Sequence, residues 1–219
     1  MARARTGVVF DSVRGRLDQM VVVQTRSGLG VRRRPVFAKA LTPAQREGNE
    51  RLRQAAALWQ DLTLEEVAAW RDYAGTLVRR NPVNGQTYAP AAYNAFTMLT
   101  TKFLQVQPEA DPPRNPPKGG FLFESPNVQA KPVPGGVLWT ALGPTGTDEL
   151  AELMVQRLPN PKRLPGNQYV AAAFVPFVEE PLQFFLPLGP AGYSLACRFV
   201  RPSTGEQTGL GIFGTIVVE

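Results

Sequence analysis

Apolar and polar positions alternate in three rhythms along this chain, and the changes of rhythm divide it. In the first 40 residues the run "DQMVVVQT" is short, apolar and β-branched, which predicts a strand. "RSGLG" follows as a turn with two glycines able to take positive φ, and "VRRRPVF" predicts a return strand. On that strand a period of two places Val31, Arg33 and Pro35 on one face and Arg32 and Arg34 on the other. A lone hairpin buries too little to be stable in water, so this arm needs its own helices or another chain to complete it.

From residue 41 the period lengthens to three and four. "TPAQ" at residues 42–45 offers an N-cap Thr, a Pro at the first helical position and a Gln placed for a capping box, predicting a helix to about Trp59. "TLEE" at residues 63–66 repeats the signal, and Val67, Trp70, Ala74 and Leu77 form the apolar stripe that follows. "NPVNGQ" is a turn cluster, and a third helix begins near Pro90 with the stripe Tyr93, Phe96, Leu99, Phe103 and Val106. Three such helices make a small bundle with Trp59, Trp70, Phe96 and Phe103 at its centre.

Residues 107–120, "QPEADPPRNPPKGG", hold five prolines and end in two glycines, which predicts a stiff extended linker. Beyond it the rhythm becomes short apolar runs broken by Pro and Gly. "GVLWTALG", "LAELMVQRL", "QYVAAAFV", "PLQFFLPL", "GYSLACRFV" and "LGIFGTIVV" predict six or seven strands in about 100 residues, the pattern of a β-sandwich. Along "GYSLACRFV", Tyr193, Leu195, Cys197 and Phe199 alternate inward while Ser194, Ala196 and Arg198 point out, and "RPSTGEQTG" turns into the last strand.

Charge sharpens this division. The chain of 219 residues carries a net charge of +6, but residues 1–40 hold nine basic residues and two acids, so the rest is near neutral. Arg14, Arg16, Arg32, Arg33 and Arg34 are therefore the candidate contacts of the arm, to phosphate or to acids on a neighbouring subunit. The arginines have no interleaved aromatics, and the arm matches no helix-turn-helix or zinc-finger pattern, so base readout is not supported. With valines beside them, the reading favoured is an assembly arm that adds a strand to an exposed edge.

Candidate chemistry is thin. The chain has no histidine and one cysteine, which removes His-dependent nucleophile systems, the usual zinc sites and any internal disulfide. Cys197 is expected in a core, and a single cysteine fits synthesis inside a cell. The carboxylate pairs Glu65/Glu66, Glu149/Glu152 and Glu179/Glu180 read as solvated surface rather than a glycosidase pair, and no Asp-rich calcium loop is present. "GLGIFG" matches G-x-G-x-x-G by letters, but only strand-like "TIVVE" follows, where a dinucleotide site needs a helix. No cofactor or metal is expected, no catalytic residue is assigned, and no enzyme activity is predicted. No apolar run is long enough to span a membrane, and the N-terminus lacks the apolar core of a signal peptide.

Two resemblances add to these readings. Trp139 in an early strand, then Leu186, Gly189, Gly192 and Tyr193 before an alternating strand, a Gly-bearing turn and a final strand resemble a fibronectin type III or related immunoglobulin-like domain over about 100 residues. That resemblance implies a corner role for Tyr193, its hydroxyl bonding back to the preceding loop. The N-terminal half, with "SVRGRLDQMVV", "RRRPV", "LTPAQ" and "AWRDYA", is similar to uncharacterised proteins of tailed phages and prophages. It implies a virion or assembly role, and immunoglobulin-like domains are common additions to phage capsid and tail proteins.

The expected architecture is α+β and multidomain. It comprises a basic extended arm or β-hairpin (residues 1–40), a three-helix segment (41–106), a proline-rich linker (107–120) and an immunoglobulin-like β-sandwich (121–219). The expected function is a non-enzymatic structural protein of a tailed-phage particle, a capsid decoration or tail component made in the host cytoplasm. Its expected partners are other capsid or tail subunits and further copies of itself, with no membrane. Trp59, Trp70, Trp139 and Tyr193 are structural in this scheme. Two alternatives stand beside it: nucleic-acid binding through the basic arm, and a glycan or host-surface module using Trp139, Tyr169 or nearby aromatics.

Overall fold

Antiparallel pairing and locally capped helices account for nearly every element of this chain. The computed structural model describes residues 3–6, 10–17, 20–25, 28–33, 40–80, 85–118, 126–160, 164–166 and 168–219. The fold is α+β, and the chain divides into two units, Met1–Arg46 and Glu47–Glu219.

The first unit holds a four-stranded antiparallel sheet in sequence order: β1 (Arg3–Thr6), β2 (Phe10–Leu17), β3 (Met20–Thr25) and β4 (Gly28–Arg33). The predicted hairpin is β3–β4, but two further strands precede it. Gly28 and Gly30, expected in the turn, are strand residues opposite Thr25 and Val23. The antiparallel register places Thr25 directly opposite Gly28. Residues 26–27, Arg34 and Pro35 lie outside the described residues.

The helix α1 (Pro43–Gln60), which begins at the end of the first unit and continues into the second, starts where the sequence predicts. Thr42 N–H donates to Gln45 Oε1 at 2.9 Å, and Gln45 N–H donates to Thr42 Oγ1 at 3.2 Å. Thr63 and Glu66 close the same reciprocal box on α2 (Leu64–Thr76). A short hairpin of β5 (Arg79–Arg80) and β6 (Thr87–Tyr88) leads to α3 (Ala92–Val106), while residues 81–84 of the expected turn cluster lie outside the described residues. The helical core is Trp70, Ala74, Ala95, Phe96 and Leu99. Trp59 packs at its rim with ring centroids 5.3 Å from Phe96; Phe103, expected at the centre, is buried outside this cluster, and Tyr93 of the stripe is exposed.

Seven strands follow: β7 (Val128–Val133), β8 (Gly136–Ala141), β9 (Leu150–Leu158), β10 (Val170–Val175), β11 (Gln183–Pro187), β12 (Ala191–Val200) and β13 (Gly211–Val218). They form a three-stranded sheet, β11-β8-β7, and a four-stranded sheet, β10-β9-β12-β13. Val137, Trp139 and Leu186 of the first and Leu153, Leu195 and Cys197 of the second share one apolar core. Gly136 stands so close to Leu186 O of the paired strand that a Cβ there would collide with it.

The opposite face of the four-stranded sheet is covered too. Ser194 and Ala196 do point away from the sandwich core, yet both are buried. Lys102 on α3 reaches Glu152 on β9, and its ammonium lies 5.6 Å from the centroid of the Phe174 ring on β10. The loop after β12 presses Gly205, at φ +77°, against Leu99 O of the same helix, where no Cβ would fit. Within Glu47–Glu219, α3 therefore lies against the outer face of the four-stranded sheet.

The proline-rich segment was expected to be a spacer between them, and its described residues do not run free. Arg114 donates through Nε to Glu66 Oε1 at 2.7 Å and through Nη2 to Asp61 O at 2.6 Å, and its own carbonyl accepts from Trp70 Nε1 at 2.7 Å. Prolines bring no N–H to be left unpaired, so such a strap can lie along α2 without a ladder of its own. Among the described residues no helix is long and apolar enough to cross a membrane.

Candidate interaction surfaces

The N-terminal sheet carries the arginines singled out from the sequence, and its register sorts them. Arg16 pairs with Val21 and Val21 with Arg32, so these three form one row across β2, β3 and β4. Residues paired across a ladder share a face, as do residues i and i+2 along a strand. Arg14 therefore joins Arg16 on β2, and Arg3, which pairs with Arg14, joins them from β1. Arg5 pairs with Ser12 and completes the set.

One face thus holds Arg3, Arg5, Arg14, Arg16 and Arg32. The other holds Ala4, Val13, Leu17, Met20, Val22, Leu29 and Val31, together with Arg33, which pairs with Met20. Arg33 is therefore separated from Arg32, as the alternation predicted, and Arg34 lies outside the described residues. Arg32 and Arg33 are exposed. On the apolar face Val22 is 5% exposed, whereas Met20 and Val31 stand at 50% and 57%. Arg3 and Arg5 were missed because "RART" has no β-branched residue at the arginine positions to mark it as a strand. Its strict alternation was the available signal.

Of the acidic candidates in the second unit, Glu65 and Glu179 are exposed as the sequence reading expected, whereas Glu149 and Glu152 are buried. Glu66 spends its carboxylate on Thr63 N–H and on Arg114, which together hold it down at about 2. Glu180 accepts from Leu182 N–H within its own turn. Glu152, read as surface, is instead buried between two cations: Lys102 Nζ is 2.9 Å from Oε1, and Arg198 Nε is 2.6 Å from Oε2. This correction follows from strand parity. Glu152 and Arg198 occupy paired positions on the face that α3 covers. Burial pushes the Lys102 ammonium down, against the pull of Glu152.

A cleft of about 970 Å³ lies between α2 and the proline strap, lined in part by Asp72, Tyr73, Pro116, Pro117 and Glu206. Burial, then the charge of Glu206, pushes the Tyr73 hydroxyl up to about 12, and Glu206 is itself bonded to Arg201 and Thr204. Among the described residues no cluster of three or more potential metal ligands occurs. "GLGIFG" falls at the start of β13, a strand with no helix after it.

Of the aromatic candidates, Trp139 is internal and Tyr169 is half-buried. Trp139 is fully buried and packs edge-on against Phe213, with centroids 5.4 Å apart, so it forms no glycan platform. The Tyr169 hydroxyl bonds to Ser194 Oγ at 2.9 Å. Tyr193 donates to Gly189 O at 3.0 Å, the corner bond that the sequence resemblance implied. Cys197 is a core thiol, pushed up to about 12 by burial. Comparison with protein-family models, curated proteins and solved structures finds no match for this chain.

Proposed function

We propose that this chain is a non-enzymatic structural component of a tailed-phage particle, a capsid decoration or tail protein that attaches to neighbouring subunits through its N-terminal sheet. The observation that carries this is the first unit itself. A four-stranded sheet of short strands lies within its own compact unit, Met1–Arg46, with β1 and β4 at the two ends of the strand order. Open edges are templates for pairing with another chain, and the exposed Met20 and Val31 add apolar area beside one of them.

The second unit supports the same reading as an immunoglobulin-like module of the fibronectin type III kind. Its first, second and fifth strands form one sheet, and its third, fourth, sixth and seventh form the other. The Tyr193 corner bond and Trp139 on the second strand belong to that pattern. The particle context is part of the proposal and rests on the resemblance read from the segments "SVRGRLDQMVV", "RRRPV", "LTPAQ" and "AWRDYA" alone.

Mass spectrometry of purified particles from the producing host, with and without M20D/V31D in this chain, tests the proposal. Incorporation of the wild-type chain, and its loss in the variant, is the expected result. Absence of the chain from particles, or equal incorporation of both forms, would sink it.

A further inference from the structure

The apolar face and edges of the N-terminal sheet serve the attachment proposed above, which leaves its other face without a role. We infer that this second face binds the phosphate backbone of nucleic acid, without regard to sequence. The inference stands independently of the particle reading.

Composition is the first support. Arg3, Arg5, Arg14, Arg16 and Arg32 share this face with Ser12, Val21, Val23 and Gly30, and no Asp or Glu lies among these positions. Asp11 falls at the register shift between β1 and β2, and Asp18 lies outside the described residues. Like charges at neighbouring positions of a sheet are unfavourable, and an anion lying across such positions relieves this. Positions on neighbouring strands are about 4.8 Å apart and alternate positions along a strand about 7 Å, so a polyanion lying on the sheet meets several at once.

The kind of anion follows from the rest of the chain. Met1–Arg46 contains ten Lys and Arg and two acids, whereas Glu47–Glu219 contains fourteen and sixteen. A second copy therefore offers only a near-neutral surface as counterpart to a strongly basic sheet, and a dense external polyanion is the better complement. Arginine suits phosphate because its planar fork makes paired hydrogen bonds. None of the five arginines has an aromatic ladder partner, and Phe10 lies beyond the register shift, opposite Thr6, so recognition stays with the backbone.

The test is fluorescence anisotropy of the purified full-length chain with labelled 30-bp duplexes of two unrelated sequences, between 50 and 200 mM salt. If all five arginines engage phosphate, the slope of log K against log salt is about −4.5, and affinity falls about 500-fold over that range. Both duplexes are expected to bind equally. R14A/R16A/R32A should flatten the slope by about 2.7, while R14K/R16K/R32K should keep most of it and R33A, on the opposite face, should change it little. Three results would overturn the inference. One is an alanine variant that binds like wild type. Another is a lysine variant as defective as the alanine one, which marks damage to the sheet. The third is poly-glutamate displacing the duplex as well as unlabelled duplex does at equal charge, which assigns the face to an acidic protein. Because M20D/V31D lies on the other face, it should lose incorporation and still bind DNA, so failure of one proposal is distinguishable from failure of the other.

Discussion

Glu152 is the residue on which the layers of the second unit converge. Its carboxylate is buried between Lys102 of α3 and Arg198 of β12, so one side chain joins a helix to two strands. Replacing a buried pair by apolar groups can be neutral, but removing one partner strands the other charge. Glu152→Ala leaves Lys102 buried beside Arg198 and is expected to cost about 3–5 kcal/mol in urea unfolding. Lys102→Met, which keeps the Glu152–Arg198 pair, should cost clearly less. The pH dependence carries the sign of the Lys102 shift. A lysine lowered from its ordinary value binds fewer protons folded than unfolded between the two values, so stability rises with pH in that window. Loss of Glu152 removes the group opposing the downward push and widens the window. The gap between variant and wild type should therefore narrow as pH approaches 10.5, and a gap constant with pH would contradict this account.

At the scale of elements, α2 and the proline strap show what local sequence can and cannot convey. The caps of α1 and α2 were legible because Thr42 with Gln45, and Thr63 with Glu66, act within one turn. The strap was not, because its hold depends on Arg114 meeting Glu66 and Asp61 some 50 positions earlier, and on the indole of Trp70. Likewise α3 was expected to bury one stripe, yet Thr100, Lys102 and Leu104 are buried beside Phe96 and Leu99. A helix between two layers loses the single-sided pattern on which such expectations rest. The strap is also sensitive to acid. Glu66 is lowered from an ordinary 4.5 to about 2 by Arg114, so its support is complete above 4.5 and fades as pH falls toward 2. The indole N–H signal of Trp70, which reports the bond to Arg114 O, should shift over that interval in a ¹⁵N spectrum. Arg114→Ala should leave the Trp70 signal without this transition, and a transition that survives in R114A would assign it to another group.

Across the whole molecule, charge and fold divide at nearly the same place. The strands of the sandwich were legible from their apolar runs, whereas the two-faced sheet was not, since Arg3 and Arg5 join the other arginines only through pairing register. The division makes a prediction about the truncated chain. Removing residues 1–40 takes away nine basic residues and two acids, leaving fifteen against sixteen. All three tryptophans remain, and every described residue of the second unit's two apolar cores lies beyond residue 40. The truncated chain should keep the near-UV circular dichroism of the full chain and unfold cooperatively within a few degrees of it. It should also pass through a heparin column that retains the full chain at low salt, since retention there follows clustered positive charge. Retention of the truncated chain would place the operative basic surface in Glu47–Glu219. A collapse of its near-UV signal would mean that the sheet is part of the second unit's stability rather than an appendage with its own task.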